Sequence, residues 1–418
     1  MTLYDTSQKS YKALISTIEP IDGGVPSMTR WLCTLLEEIE IEPTLAWYAP
    51  YRNYPYLSAP LYGSIFKREN MIQKTAFSKY MSFGIGAKYP EFEFTHYLPS
   101  KYWKALIAKH HLHFVVSGNV LAATPYFFMK TPFLAWIATP WEADRKDRVQ
   151  TFNQPRRFFD SAINRPFLKI LEQQILKSPS SDIISLSSYT SKELSQISRK
   201  PLSSVMLMPV DTNIYSPLKQ RVVPWKIGFS GRYCDPRKNI KLLLDAIKIL
   251  RNSSKDIQLV LVGDKDYESM KGQIEAMGLT KQVTCYPHMD PHDLSRLLQS
   301  LDLFVIPSHQ EGLCISALEA MASGVPVIST RCGGPEDYVI PGRTGYFVDY
   351  YPSSLAQAIL KVCSNRIERD RLSNAAVAWV RESASKDASR KIFRKHLSEL
   401  MDRLNLKEHY LATTTRME

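Results

Sequence analysis

Several large protein classes are excluded by what this chain lacks. Its six cysteines (Cys33, Cys234, Cys285, Cys314, Cys332, Cys363) are scattered over 418 residues. None forms a C-x-x-C pair, so neither a zinc ribbon nor a dithiol redox motif is indicated. His110, His111 and His113 lack the H-E-x-x-H spacing of a helical zinc site and read as ordinary strand-edge residues. The stretch MTLYDTSQKSYK has no apolar secretory core. With unpaired cysteines, that sets the expectation of a reducing cytoplasm. Only Phe114 to Trp141 approaches the hydropathy of a membrane span. Gly118, Asn119, Pro125 and Pro132 cut it into shorter pieces, so a buried strand–helix–strand is expected instead.

What is present is the composition of a globular protein, 44% apolar and 22% charged. The length implies two domains, each large enough for its own core. The formal charge of +12 is spread evenly: residues 1–215 hold 24 Lys and Arg against 18 Asp and Glu, and the remainder 29 against 23. Such a balance suits nucleotide phosphates, acidic glycans or anionic lipid, and equally a basic surface with no specific partner. No nucleic-acid recognition motif accompanies it, so a nucleic-acid partner is not expected.

Short apolar runs alternate with helical patterns. Ala13–Ile18, Thr44–Tyr48, Phe114–Val116, Leu134–Ala138 and Ile183–Leu186 read as strands, with a helix over Met28–Leu36. A break over Pro209–Pro224 reads as a hinge. Beyond it, strands are expected at Lys226–Ser230, Gln258–Val262, Val283–Tyr286, Leu303–Ile306 and Pro326–Ser329, with helices at Asn239–Arg251, His292–Gln299 and Ile315–Ala322. The reading is α/β, with two Rossmann-like parallel-sheet lobes facing across a cleft. The lobes are placed at 1–212 and 213–388. A final helix from about 389 to 418 packs back on the first lobe.

Two segments carry the chemistry. In residues 307–329, PSHQEGLCISALEAMASGVPVIS, a buried strand runs into a polar loop and then a helix. Glu311 sits in the loop and Glu319 about two turns further on. The free amides of such a helix start suit a diphosphate, and a carboxylate at 319 suits a vicinal diol. Gly312 permits close backbone approach. The same two glutamates also suit a purely structural helix entry. In residues 229–250, Gly231 ends a strand, Arg232 follows, and Lys238 stands at a helix start. Two cations at that junction neutralise a pyrophosphate, or simply lie in a solvated loop.

Taken together, the segments resemble the donor-binding lobe of glycosyltransferase family 4, of GT-B fold. The resemblance lies in Gly231-Arg232, Lys238-Asn239, Glu311 and Glu319, Ala322–Ile328, Gly333-Gly334-Pro335-Glu336 and Gly342–Val348. It is strong over about 226–350 and weaker at Gly23-Gly24-Val25 and Asp182–Ser188. It implies a retaining transferase that takes a nucleoside-diphosphate sugar as co-substrate and requires no metal or other cofactor. It also implies site roles. Arg232, Lys238 and Glu311 are the catalytic group. Glu319, Gly312, Leu313, Cys314, Gly231, Gly23, Gly24, Tyr286 and His288 bind the donor. Many members carry a His at the end of a central N-lobe strand, where this chain has Thr139-Pro140-Trp141-Glu142. Trp141 and Glu142 are therefore the acceptor-side candidates.

The implied partners are a nucleotide-sugar donor and a glycan or lipid-linked acceptor. An inactive or non-transferase protein that binds a nucleotide sugar (epimerase, hydrolase or scaffold) is the alternative. Residues 51–90 hold six Lys and Arg, one acid and nine Tyr and Phe. This mixture suits peripheral contact with anionic membrane at the inner face, or a surface excursion.

Overall fold

Apolar β-rich runs become strands buried on both faces. Ala13, Leu14 and Ile15 are fully buried in β1 (Lys12–Thr17), as are Phe114, Val115 and Val116 in β5 (Leu112–Ser117). The computed structural model describes residues 11–21, 23–62, 68–150, 153–202, 204–218, 225–252, 256–263 and 268–406. The chain divides into two units. The first comprises residues up to Leu186, Thr190–Met206 and the segment from Arg390; the second comprises Ser187–Tyr189 and Leu207–Ser389.

In chain order the first half forms β1, α1 (Gly24–Glu37), β2 (Glu42–Tyr48), β3 (Met71–Ala76), β4 (Tyr80–Ile85), α2 (Lys101–Lys109), β5, α3 (Thr124–Phe128) and β6 (Phe133–Ile137). There follow α4 (Trp141–Gln150), α5 (Gln154–Phe159), a π-helical turn over Asp160–Asn164, α6 (Arg165–Lys177), β7 (Ser181–Ser185) and α7 (Ser188–Ser198). The sheet order is β3-β4-β2-β1-β5-β6-β7. All pairs are parallel except β3 with β4. Phe114–Trp141 is divided as expected, into β5, α3 and β6, and no described helix is long and apolar enough to cross a membrane.

Within residues 51–90, the part over Met71–Ile85 is not a surface excursion. Its β3–β4 hairpin extends the sheet, and the indole of Trp47 donates to Ser82 Oγ at 2.9 Å. Residues 63–67 lie outside the described residues, as do 1–10 at the start, 219–224 of the hinge and 264–267 of the loop after Val262. The three histidines are structural, but His113 is buried in the central strand β5 rather than at a sheet edge.

The second half forms β8 (Lys226–Ser230), α8 (Ile240–Arg251), β9 (Gln258–Val262), α9 (Glu268–Ala276), β10 (Val283–Tyr286), α10 (Pro291–Gln299), β11 (Leu303–Ile306), α11 (Ile315–Ala322), β12 (Val327–Thr330) and β13 (Gly345–Val348). Helices α12 (Pro352–Ser364), α13 (Arg366–Ser383) and α14 (Lys386–Arg403) follow. All six strands are parallel, in the order β10-β9-β8-β11-β12-β13, the doubly wound arrangement of dinucleotide folds. The core holds Phe229, Leu243, Ile247, Leu261, Val305 and Ile359, all essentially without exposure.

The last helix packs on the first unit, as expected. Arg390 of α14 pairs with Glu38 at 2.8 Å, and Phe393 meets the ring of Phe114. The His396 imidazole bridges Asp182 (2.7 Å) and Ser204 Oγ (2.8 Å). Leu397, Leu400 and Met401 are buried beside them.

Candidate functional site

In the second sheet the chain proceeds outward in both directions from the adjacent pair β8 and β11. The connections leaving these two strands diverge, opening a crevice beyond their carboxyl ends. Lys238 follows β8 and Glu311 follows β11, and the two meet there. Lys238 Nζ lies 2.8 Å from both carboxylate oxygens of Glu311. Ser308 Oγ donates a further bond to Glu311 at 2.6 Å. Both charges are largely buried, with side chains 16% and 6% exposed. Burial pulls the Lys238 ammonium down, but the charge of Glu311 outweighs it and holds the pKa above the ordinary lysine value.

Local turns place the lysine. Asp235 caps the 3-10 turn Pro236–Lys238 by accepting from the Arg237 N–H. Asn239 then adopts a left-handed conformation (φ +48°) and donates from Nδ2 to Pro307 O at 3.1 Å. His309 N–H donates to Arg237 O at 2.8 Å. The loop after β8 is thus tied to the loop after β11. Arg232 is more exposed (side chain 67%) and lies 3.2 Å from Asp235. Burial raises the Asp235 carboxyl, yet Arg237 and Arg232 outweigh it and hold it below its usual range.

Backbone contacts shape the floor. Gly231 (φ +151°) and Gly263 (φ +132°) end β8 and β9, and a Cβ on Gly263 would fall 2.5 Å from Gly231 O. The 311–314 loop is braced from behind. Glu311 N–H donates to Cys332 O (2.7 Å), and Gly334 N–H donates to Glu311 O (3.0 Å). A Cβ on Gly334 would lie 2.2 Å from Gly312 O, so the Gly333-Gly334 turn is what permits this approach. The Tyr338 hydroxyl donates to Leu313 O at 2.8 Å. Helix α11 then opens at Cys314 (φ +63°) with no side-chain cap. Among the described residues, the backbone N–H groups of Gly312, Leu313 and Cys314 donate to no backbone acceptor.

Glu319 lies further along α11. Burial pushes its carboxyl up to about 7, against a hydrogen bond from the Tyr215 hydroxyl that lowers it. Tyr215 is buried, and its own pKa is raised by burial and then by Glu319. Tyr286 and His288 are exposed, at and just beyond the carboxyl end of β10. Among the described residues, one His and carboxylate group is close enough to hold a metal ion: Asp182, His396 and Glu399, in the first unit.

Residues 217–379, which contain this constellation, match the family described as glycosyl transferases group 1. The chain carries a glycosyl transferases group 1 domain. The D-inositol 3-phosphate glycosyltransferase of Arthrobacter sp. (strain FB24) is 37% identical over 127 residues, 29% of this chain and 30% of that protein. The GDP-mannose-dependent alpha-mannosyltransferase of Mycolicibacterium smegmatis is 34% identical over 142 residues, 34% of this chain and 35% of that protein. The chain therefore spans about a third of the length of these curated relatives. Sucrose-phosphate synthase from Thermosynechococcus elongatus superposes with a TM-score of 0.73 at 18% identity, covering 94% of this chain and 100% of that one. The fold is GT-B.

Four assigned residues lie outside the glycosyl transferase domain. Gly23 (φ +122°) follows β1, and Gly24 opens α1 with no side-chain cap. A Cβ on Gly24 would meet nothing within 4 Å, so packing does not demand glycine there. Trp141 does not suit an acceptor-side role, because its side chain is 1% exposed. Its N–H donates to buried Glu172 (3.0 Å), and Arg145 stacks on its ring. It anchors α4 in the core. Glu142 is exposed but ion-paired with Arg165 and Lys169. Beside this constellation, sequence reading missed Ser308, Asp235, Tyr215 and Tyr338. Ser308 and Asp235 sit inside the informative segments, whereas Tyr215 in the hinge gave no signal.

Proposed function

We propose that the protein is a retaining glycosyltransferase that moves a sugar from a nucleoside-diphosphate sugar to an acceptor hydroxyl in glycan, glycolipid or polysaccharide synthesis. The observation that carries this reading is the meeting of Lys238, Glu311 and the uncapped start of α11 at the strand-order reversal of the matched domain. As the bond from the anomeric carbon to the diphosphate breaks, charge grows on the β-phosphate. Lys238, Arg232 and the 312–314 amides stabilise it electrostatically, without a metal. Glu311 accepts from hydroxyls of the donor sugar, and Glu319 accepts from the ribose diol. The backbone of Gly231 lines the diphosphate, Gly23 and Gly24 contribute amides to the donor, and Tyr286 and His288 border the base. Glu142 is the remaining acceptor-side candidate. Relatives named for GDP-mannose and for D-inositol 3-phosphate support a nucleotide-sugar donor and a polyol or glycan acceptor. A lipid-linked acceptor, with contact to anionic membrane through residues 51–90 at the cytoplasmic face, belongs to the same proposal.

Thermal-shift screening against UDP, GDP, ADP and dTDP sugars identifies the donor, because a bound ligand raises stability with its affinity. Lys238→Ala and Glu319→Ala are each expected to weaken binding of that donor by about 1–3 kcal/mol. Unchanged binding in both variants would remove the site. Donor turnover without any acceptor would favour a hydrolase or epimerase, and tight binding with no turnover a scaffold.

A further inference from the structure

The helix that begins at Gln154 and ends at Lys177 is continuous through its π-helical turn. Its inner side is conventional: Leu168, Leu171, Ile175 and Leu176 are buried in the core of the first unit. Its outer side is also apolar, with Phe158 75%, Ile163 42%, Phe167 40% and Ile170 58% exposed. The π turn explains their alignment. A π turn takes up an extra residue, so Phe158 and Ile163, five apart, fall on one line. Ile163, Phe167 and Ile170 then continue it at spacings of four and three. A helix apolar on both sides is normally covered on both, and an exposed row of this kind marks an interaction surface.

The charges along the ridge indicate its partner. Over residues 153–170 the cations Arg156, Arg157, Arg165 and Lys169 are all exposed, while the single acid, Asp160, is buried against Arg145. Glu142 engages both Arg165 and Lys169, one carboxylate against two cations, so that group stays net positive. The ridge also continues into a second apolar edge. Phe159 meets the ring of Phe92 at 5.5 Å, and next to Phe92 the Glu91 carboxylate accepts from Leu61 N–H at 2.9 Å. Leu61 and Tyr62 are 49% and 91% exposed.

We propose that this ridge is the docking surface for an anionic lipid bilayer, with its phenylalanines and isoleucines in the acyl boundary and its cations among the headgroups. The inference deepens the reading of a lipid-linked acceptor and rests on it for its purpose. It moves the centre of membrane contact from residues 51–90 to α5 and α6.

The test is flotation of the full chain with phosphatidylcholine vesicles, with and without phosphatidylglycerol. Binding is expected only with the anionic lipid and should fall as salt rises. The double variant Phe158→Ser, Ile170→Ser should bind at least about tenfold more weakly, since two large apolar side chains no longer insert. All four ridge side chains are exposed, so the variant should fold, and nucleotide-sugar binding in lipid-free solution checks that it does. Equal flotation of variant and parent would overturn the proposal. So would loss of flotation in Tyr62→Ser while the double variant still floats, which would return the contact to residues 51–90. A lipid-free self-association abolished by the double variant would make the ridge an interface between copies and also overturn it. Failure of nucleotide-sugar binding in the parent chain would strike the transferase reading and leave the flotation result standing.

Discussion

Lys238 and Glu311 illustrate why a buried ion pair is informative at a candidate site. Each is nearly removed from water, and removing either partner leaves an uncompensated charge. Under the proposed function an incoming diphosphate would compete with Glu311 for the lysine, and the carboxylate would turn to hydroxyl donors. Glu319 carries the clearer pH signature. Its carboxyl is raised to about 7 by burial, so below that pH it is mostly protonated and accepts hydrogen bonds less well. Affinity for a nucleotide sugar, whose diphosphate diester does not titrate in this range, should therefore fall by about five- to tenfold between pH 8 and pH 6. The stability sign is opposite. A carboxyl raised on folding stabilises the ligand-free chain below its unfolded pKa, and that contribution is lost as pH rises through 7. Calorimetric titration at the two pH values, on the parent and on Glu319→Gln, checks the binding slope; an identical slope in the two proteins removes Glu319 from the ribose site.

At the scale of elements, the ends of β8 and β9 form a backbone-to-backbone contact that only glycine allows. Gly263→Ala should destabilise the domain by about 1–3 kcal/mol, since its Cβ combines a strained φ with a 2.5 Å approach to Gly231 O. Denaturant unfolding measures this, and a change below about 0.5 kcal/mol would mean the two strand ends are free to part. The strands β8, β9, β10 and β11 lie where their runs predict, because short apolar β-rich segments bounded by Gly, Pro or polar residues permit little else. The hairpin of β3 and β4 was not legible. MIQKTA pairs on one side only and carries Gln73, Lys74 and Thr75 exposed, so its apolar signal is thin. Helix α4, WEADRKDRVQ, has almost no apolar periodicity to read. The site was legible as residue types but not as contacts. Lys238 and Glu311 are 73 residues apart, and only the pairing of β8 with β11 brings them together. Trp141 was misjudged because an aromatic after a strand end looks the same in sequence whether it faces a ligand or anchors a helix.

For the whole molecule, the first unit is assembled from separated parts of the chain. Its sheet comes from the first two hundred residues, and α14 from Arg390 onward supplies Phe393, Leu397, Leu400 and Met401 to it. A chain stopped at Ser389 should lose a large part of that unit's stability, at about 2–5 kcal/mol for each large buried side chain removed. Hydrogen exchange reports this directly: amides of β1 and β5 should lose protection while those of β9 keep theirs. Undiminished protection in β5 would show that the helix is dispensable.

The same discontinuity sets an order of events during synthesis. The ribosome finishes the first sheet long before it makes the helix that covers it. The 183 residues between Met206 and Arg390 take roughly 10–40 s to add at ordinary elongation rates. Throughout that interval the surface around Phe114 waits uncovered, while the second unit, nearly contiguous in the chain, can already fold. A nascent chain of this design is exposed to chaperones for a time fixed by its own topology.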